Sequence, residues 1–362
     1  MILAARIKRE FSFYVAPVKI NDAASGYALI TAVFDSGTSP LVIISPLIRD
    51  QIFTFDLLEL FQVDTFNVYF FDLNDRELLS CVARVVANPL KNTIRNEELS
   101  ELEDEKSLLD GAMSWFSCTG KSEDERATRV QLVENLFRDD FVIVDATSVT
   151  HGVFGSKSVT VSALVREEPG QYQEHDIMLA FQRTFSPHQI YLNPIKRIDG
   201  EEFVDILIVG RRAALLIQAK DSPNTEKTTD TSLDRKRRKS VSQLKEGAGQ
   251  LKGAISFVRH DSKLRFVSGN KDVVVDVTGL PLIAIVVVRE LFNDMYTDYS
   301  TIVFDFIQRT QTNMVFFDFP EFSRMTSYCK DEDMFLDAVM QILHTAQERE
   351  EFPRLRYSGK PE

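Results

Sequence analysis

The sequence has few cysteines and histidines, and their scarcity excludes several kinds of site. Its three cysteines, Cys81, Cys118 and Cys329, are odd in number and far apart. Neither a disulfide framework nor a zinc site of the usual cysteine spacing is therefore expected. The five histidines form no H-x-x-x-H pair. This composition is typical of a reduced compartment, and we expect the protein to be cytoplasmic.

Signatures of several other classes are missing as well. The chain has no G-x-x-x-x-G-K-[ST] loop and no G-x-G-x-x-G after a strand, and the segment Gly152–Ser156 is not a G-x-S-x-G elbow. Cys118 has no histidine partner that the sequence identifies. No apolar run is long enough to span a bilayer, and the N-terminus lacks the apolar region of a signal peptide. We therefore expect neither a membrane association nor export.

Length and charge set further bounds. A chain of 362 residues is long enough for two domains, and its formal net charge is −12. An acidic protein repels DNA at long range, so a simple nucleic-acid binder is not indicated. Local charge matters more, however, and five consecutive cations occur at Arg235, Lys236, Arg237, Arg238 and Lys239.

The first 95 residues are predicted to form a small β-rich domain for recognition or assembly. Apolar segments typical of strands occur at 11–18, 27–34, 41–44, 66–71 and 78–87, with a helix predicted over 46–60. Residues 96–168 are predicted to be a linker with connecting elements. They contain a short helix over 130–137 and strands over 141–145 and 159–165.

A β-hairpin is predicted between Gly200 and Lys220. Two aliphatic segments, 203–209 and 213–219, flank a turn at residues 210–212. If the turn closes without a bulge, Asp205 lies opposite Gln218, and Lys220 shares a face with Gln218 because side chains alternate along a strand. A carboxylate, an amide and a lysine are thus expected together at the end of an apolar hairpin. The alternative is a purely structural hairpin whose Lys220 extends into solvent.

These three residues resemble the motif of the PD-(D/E)XK nuclease superfamily, in its Q-x-K variant found among Mrr-like and defence-associated restriction endonucleases. Val204 stands where the family has proline, and Gln218 is neutral where most members carry an acid. The resemblance covers roughly residues 170–290. It implies a site for Mg²⁺, for which Mn²⁺ can substitute, formed by Asp205, Gln218 and the Ala219 carbonyl. Lys220 would then lie beside the attacking water.

A fourth site residue is expected on the preceding helix. Residues 172–185 have helical periodicity, and Glu174 lies on the side of the apolar stripe at its first turn. In many members of the superfamily that this chain resembles, a glutamate from the first helix reaches the metal. Glu174 matches that glutamate in position. The alternative is that Glu174 only complements the helix dipole.

The segment after the hairpin is predicted to be a polar loop over residues 221–240, followed by an amphipathic helix over 241–258. The cations of residues 235–239, with Gln243 and Lys245, are expected to bind DNA. A solvated helix flank explains Gln243 and Lys245 almost as well. Further strands are predicted over 273–277, 282–288, 301–307 and 314–319, and a helix over 331–347.

The predicted fold is therefore α/β (α+β), with a restriction-endonuclease-like α-β-β-β-α-β core over residues 169–350. The resemblance implies a Mg²⁺-dependent deoxyribonuclease of bacterial anti-phage defence or restriction. DNA, a defence-system protein bound through the N-terminal domain, and a second copy of the chain are the expected partners. The alternative is a non-catalytic binding or assembly subunit that keeps a nuclease-like fold, which the neutral Gln218 and the acidic composition favour.

Overall fold

The computed structural model describes most of the chain. The described residues are 1–19, 25–34, 40–47, 52–60, 62–87, 105–138, 142–145, 152–157 and 160–355. Parts of the predicted linker, namely residues 96–104, 139–141, 146–151 and 158–159, lie outside these ranges. The predicted mixed α+β class is confirmed, with several sheets of which one is mixed.

The chain divides into two compact units. The first comprises Met1–Phe141, Ala163–Val165 and Asn224–Asp230, and the second comprises Val142–Ser162, Arg166–Pro223 and Thr231–Glu362. The elements of the first unit are, in chain order, α1 (Ile2–Lys8), β1 (Glu10–Lys19), β2 (Ser25–Val33), β3 (Leu41–Leu47), α2 (Ile52–Leu60), β4 (Thr65–Phe71), β5 (Glu77–Ala87), α3 (Glu105–Ser117), α4 (Lys121–Arg126) and β6 (Thr128–Asn135).

The strands of the first unit form one antiparallel sheet in the order β3-β2-β1-β6-β5-β4. Strand β1 buries side chains on both faces, because Phe11 and Phe13 join one apolar cluster while Tyr14, Ala16 and Val18 join another. The second cluster includes residues of α3, which therefore covers that face of the sheet.

The first unit extends beyond the predicted boundary at residue 95. Strand β6 pairs with both β1 and β5, so it lies inside the sheet rather than in a linker. The predicted helix over 130–137 is wrong for the same reason. Val130 and Leu132 are buried while Arg129 and Gln131 are exposed, which is the two-residue alternation of a strand.

The second unit carries the predicted hairpin. Its elements before the long central helix are β7 (Ile143–Asp145), β8 (Thr160–Ser162), α5 (Gly170–Phe181), β9 (Ile190–Leu192), β10 (Ile195–Lys196), β11 (Ile206–Val209) and β12 (Ala214–Lys220). A short helix, α6 (Glu226–Thr229), belongs to the first unit. The remaining elements are α7 (Leu233–His260), β13 (Lys263–Ser268), β14 (Lys271–Asp276), β15 (Leu282–Val288), α8 (Tyr296–Thr310), β16 (Asn313–Asp318), α9 (Phe319–Tyr328) and α10 (Glu332–Arg349).

The main sheet of the second unit has five strands in the order β16-β15-β12-β11-β9. The pairs β9–β11 and β11–β12 are antiparallel, whereas β12–β15 and β15–β16 are parallel, so the sheet is mixed. Strand β15 is an aliphatic run buried along nearly its whole length, as expected for a central strand covered on both faces. Strands β10, β13 and β14 form a separate small sheet.

Two predictions for the second unit are wrong. The polar segment predicted as a loop over 221–240 contains the start of α7, which begins at Leu233, so all five cations of residues 235–239 are helical. No proline follows Pro223 before the helix, and lysine and arginine favour helices. The predicted strand over 301–307 lies within α8, whose Tyr299, Val303 and Phe306 form a buried helical stripe. No helix among the described residues is long and apolar enough to cross a membrane.

Candidate functional site

The hairpin brings Asp205 and Gln218 into contact. Strand β11 pairs with β12 in the predicted register, with Ile206 opposite Ile217, and the Gly210 N–H donates to the Ala213 carbonyl at 3.0 Å to close the turn. Asp205 precedes β11 by one residue, so the same register puts it opposite Gln218. The Gln218 Nε2 donates to Asp205 Oδ1, and the Ala219 N–H donates to Asp205 Oδ2 at 2.6 Å.

Asp205 is a carboxylate held by neutral donors. Burial raises its pKa, while the Ala219 N–H, the charge of Lys220 and the Gln218 amide act in the opposite direction. The donors around Asp205 thus do not fully offset the cost of burying its charge, which is typical of a carboxylate that binds a cation or a proton. Gln218 is predicted to be a further metal ligand. Its amide nitrogen donates to Asp205, and a rotation of the amide by a half-turn would present its oxygen to a cation instead.

Lys220 ends β12 beside this carboxylate. Its side chain is 14% exposed, and its Nζ donates to Glu246 Oε1 on α7 at 3.0 Å. The helix approaches closely at Gly247, where a Cβ atom would lie 2.9 Å from Val286 and 3.6 Å from the Lys220 Cγ. The stem of Lys220 is therefore confined between strand and helix, and only its ammonium group has freedom to move.

Glu174 reaches the same end of the sheet from the first turns of α5. Asn193 Nδ2 donates to its Oε2 at 3.2 Å. Burial and the charge of Asp205 raise the pKa of Glu174, while Asn193 and Lys220 lower it. Asn193 links the two acids, because its side chain donates to Glu174 and its backbone N–H donates to the Asp205 carbonyl at 2.8 Å. The structure therefore brings Glu174 together with the hairpin residues.

Two residues that the sequence did not single out belong to the same group. Asn193 follows β9 with a positive φ of 45°, its N–H donates to the Asp205 carbonyl at 2.8 Å, and its Oδ1 is buried with no hydrogen-bond partner among the described residues. Glu202 pairs its backbone with Ile195 in an isolated bridge. Glu202 is exposed as a residue, but partial burial of its carboxyl group, the charges of Asp205 and Glu174, and a hydrogen bond with Asp205 raise its pKa to about 8.

We call Glu174, Asn193, Glu202, Asp205, Gln218 and Lys220 the hairpin site. The sequence contained weak signals for the two missed residues. An Asn-Pro dipeptide at 193–194 marks the end of a strand, and Glu202 precedes Asp205 by three residues. Neither signal indicates proximity to Asp205, which depends on the pairing of β9 with β11.

The residues predicted to bind DNA lie along α7. Arg235, Arg238, Lys239 and Lys245 are exposed, whereas Lys236 and Arg237 are partly buried. Arg237 pairs with Asp234 at 3.1 Å and with Asp294 at 2.5 Å. Gln243 donates to the Asp221 carbonyl and to the Ser222 hydroxyl, both at 2.9 Å, so its amide fixes the segment after β12. The contacts of Gln243 within the protein therefore give it a structural role.

The turn of the hairpin is anchored to α10. The Arg212 N–H donates to Glu332 Oε1 at 2.7 Å, and the side chains of Arg211 and Arg212 pair with Asp333 at 3.1 and 3.2 Å. A Cβ atom at Gly210 would lie 2.5 Å from Glu332 Oε1, so a larger residue there would have to displace the Glu332 side chain from the Arg212 N–H. The hairpin is thus tied to the body of the unit at its tip, away from Asp205.

The hairpin site has the type of ligand atoms that a divalent cation requires, but too few acidic side chains to hold the cation alone. Its oxygens are those that Mg²⁺ prefers, and the partnerless Asn193 Oδ1 adds another. Among the described residues, however, no three His, Cys, Asp or Glu side chains converge closely enough to hold a metal ion by themselves. A cation here would therefore depend on neutral oxygens, such as those of Gln218 and the Ala219 carbonyl, and on water.

No protein-family model, curated protein or solved structure matches this chain. The function can therefore be inferred only from the chemistry and geometry of these side chains.

Proposed function

We propose that this protein is a Mg²⁺-dependent endonuclease that hydrolyses DNA phosphodiester bonds. The observation that carries the proposal is the contact of Asp205 with Gln218 across the hairpin, with Lys220 two residues further along the same strand face. A carboxylate, an amide oxygen and a lysine in this arrangement are what the Q-x-K variant of the PD-(D/E)XK motif requires.

The order of elements around the hairpin supports the same proposal. Helix α5 is followed by the strands β9, β11 and β12, then by α7 and the parallel strand β15. This is the α-β-β-β-α-β order expected of a restriction-endonuclease-like core. Glu174 on α5 would be the glutamate that the first helix contributes, which its proximity to Asp205 supports.

In this proposal four residues of the hairpin site have a stated task. Asp205, Glu174, Gln218 and the Ala219 carbonyl would hold Mg²⁺ or Mn²⁺, which supplies charge neutralisation at the phosphate and an acidified water when bound. Lys220 orients the attacking water and offsets the charge that grows on the phosphate oxygens. For this the ammonium group must leave Glu246, which is a modest loss because Glu246 is 62% exposed.

The rest of the chain fits a defence or restriction nuclease of the cytoplasm. The cations of residues 235–239, with Gln243 and Lys245, would contact the DNA backbone. The first unit, with its six-stranded sheet, would recognise a partner protein or trigger of the defence system. A homo-oligomer would supply the second site that cleavage of both strands requires.

The second candidate is a non-catalytic subunit that keeps this fold for binding or assembly. The specific observation in its favour is that Lys220 pairs with Glu246 and Gln218 offers its nitrogen to Asp205, so both side chains are engaged within the protein. The neutral Gln218 also leaves the site with one carboxylate fewer than most members of the superfamily carry.

Incubation of the purified chain with supercoiled plasmid DNA distinguishes the two candidates. We expect nicked or linear product with Mg²⁺ or Mn²⁺ and none with EDTA. Asp205→Ala should abolish the product and the binding of Mg²⁺ in calorimetry, whereas Gln218→Glu should retain or raise activity because it restores a ligand charge. Glu201→Gln, at an exposed neighbouring position, is the matched control.

Several substrates are needed for a decisive negative result. If duplex DNA, single-stranded DNA and RNA all remain intact with either metal, also when the natural partner is present, the enzyme proposal is wrong. The same holds if Asp205→Ala cleaves as fast as the wild type. The non-catalytic candidate would then be the better description.

A further inference from the structure

A second group of charges lies beside the hairpin site, where β12 and β15 end. Arg289 directly follows β15, and its N–H donates to the Lys220 carbonyl at 3.1 Å. Its Nη1 donates to the Ser222 carbonyl at 2.8 Å and lies 3.6 Å from Asp221 Oδ1. The guanidinium group is thus oriented by a backbone carbonyl and a carboxylate, while 39% of the side chain remains exposed.

Asp221 is the acid around which these cations assemble. Its side chain is only 8% exposed. Three cations lie near enough to act on its carboxyl group, namely Arg289, Arg166 and Lys239. Arg166 is itself oriented, because it donates to the Ser162 hydroxyl at 3.2 Å and lies 4.9 Å from the centre of the Tyr172 ring. Asp221 is therefore outnumbered by the cations around it, and Glu290 is a second acid near Arg289.

The start of α7 adds an electrostatic reason to expect an anion. Residues 235–239 occupy the first two turns, where the helix dipole is positive and cations are unfavourable. Asp234 is the one acid in the first turn, and it pairs with Arg237. Arg235, Arg238 and Lys239 are exposed. A bound polyanion would relieve this repulsion.

We propose that Arg289, Arg166 and Lys239 form a second phosphate-binding site, which holds the backbone phosphate next to the one that Lys220 contacts. The proposal rests on the nuclease function above in naming DNA as the occupant. Arg289 lies beside Lys220 across the paired strands β12 and β15, because its backbone N–H donates to the Lys220 carbonyl. The planar arginine groups match phosphate oxygens in geometry, and the site is continuous with the cations of α7.

The test is the salt dependence of DNA binding, measured by fluorescence anisotropy with a short labelled duplex in EDTA, where no cleavage occurs. For Arg289→Ala we expect weaker binding and a slope of log affinity against log salt that is smaller by about 0.9, as for the loss of one phosphate contact. Arg309→Ala is the matched control, since Arg309 is 70% exposed on α8 and pairs only locally with Asp305 among the contacts described. It should leave the slope unchanged.

Two further variants keep the test decisive if Arg289→Ala folds poorly. Arg289→Ala combined with Asp221→Asn removes the charge that would be left buried, and Arg289→Lys keeps the charge but loses the planar group. We expect the slope of the double variant to decrease by the same amount as that of Arg289→Ala. Arg289→Lys should bind with lower affinity but an unchanged slope. Thermal unfolding identifies folded variants.

Failure of this proposal is distinguishable from failure of the nuclease proposal. If the wild type cleaves DNA but Arg289→Ala and the double variant bind with an unchanged slope, the second phosphate site is wrong and the nuclease stands. If nothing is cleaved but the slope falls, the phosphate site stands without catalysis. Binding of poly-glutamate in preference to the duplex, or no binding of the duplex at all, would overturn the phosphate site.

Discussion

Two groups of carboxylates lie in the second unit, and they are neutralised in different ways. In the arginine cluster (Tyr296, Asp318, Glu321 and Arg354), Arg354 lies 2.9 Å from Asp318 Oδ2 and 3.4 Å from Glu321 Oε1, and it donates to the Tyr296 hydroxyl at 2.9 Å. Backbone N–H groups of Glu321 and Leu355 complete the partners of the two acids.

The hairpin site has similar acids but no arginine. Its cation is Lys220, which is shared with Glu246, and the buried Asn193 Oδ1 has no partner among the described residues. A planar guanidinium group satisfies several oxygens at once, whereas a lysine acts as a mobile point charge. The difference teaches that buried acid alone does not indicate function. What distinguishes the hairpin site is that its acids are held by neutral donors and one lysine, with no arginine among them.

The largest expected effect is the loss of DNA cleavage when the cation of the hairpin site, Lys220, is removed. Lys220→Ala should lower the rate of Mg²⁺-dependent DNA cleavage by about 10²–10⁴-fold, because the charge acts at the phosphate in the transition state. Its free energy of unfolding should change by about 1 kcal/mol or less, since its partner Glu246 is exposed. Lys263→Ala, at an exposed position on β13, is the control. Undiminished cleavage by Lys220→Ala would remove this lysine from the reaction.

The converse change concerns stability. Arg354→Ala should lower the free energy of unfolding by about 3–5 kcal/mol, because it leaves two buried carboxylates without their cation. Urea denaturation followed by circular dichroism measures this value. The triple variant in which Asp318 and Glu321 are also made neutral, as Asn and Gln, should recover much of the loss. An Arg354→Ala variant as stable as the wild type would show that the two groups do not differ as described.

The pH dependence of the free energy of unfolding tests how the acids of the arginine cluster are neutralised. Burial and the charge of Asp318 raise the pKa of Glu321 to about 7, against the opposing effect of Arg354. A raised pKa favours the protonated folded state. This contribution is complete below the ordinary pKa of 4.5 and is lost as pH rises towards 7. It amounts to at most about 3 kcal/mol.

Glu321→Gln should therefore flatten the fall in the free energy of unfolding between these two pH values. Urea denaturation at a series of pH values tests this, with Glu201→Gln as the exposed control. A slope in Glu321→Gln equal to that of the wild type would contradict the assignment of the titration to Glu321.

Divalent cations give the smallest but most direct contrast. Mg²⁺ should raise the unfolding temperature of the wild type, by an amount that corresponds to about 2.7 kcal/mol at a concentration of 100 times the dissociation constant. Asp205→Asn should abolish this response. Asp318→Asn should preserve it, because Asp318 is already paired with Arg354 in the arginine cluster and is not expected to bind Mg²⁺. Differential scanning calorimetry with and without EDTA measures both. A response lost in Asp318→Asn but kept in Asp205→Asn would reverse the comparison.

The sequence was sufficient to predict those elements whose periodicity agrees with their tertiary surroundings. Strand β15 was predicted with its observed ends, and the register of the hairpin followed from a short turn and two aliphatic strands. The helix α8 was missed because Thr297, Thr301, Ile302, Val303 and Ile307 are β-branched and favour strands locally. Packing of its aromatic and aliphatic stripe against the sheet overrides that preference.

The hairpin site could be predicted only where its residues are close in sequence. Asp205, Gln218 and Lys220 belong to one hairpin, so their proximity follows from a single pairing. Asn193 depends on a different pairing, between β9 and β11. Its positive φ is common for asparagine, but that preference does not place the residue beside Asp205. Arg289 is beyond prediction for a similar reason, since it requires the parallel pairing of β12 with β15.

The anchoring of the hairpin turn to α10 has a consequence for the order in which the protein is made. Glu332 lies 120 residues after Arg212, whose N–H it accepts. At the usual rates of synthesis, of about 5–20 residues per second, the ribosome needs roughly 6–24 seconds to cover that interval. During this time the strands of Asp205 and Gln218 exist without the contact that fixes their tip. The turn of the hairpin is therefore secured only after Glu332 has been made, and a ribosome that stalls before that point leaves the turn unsecured.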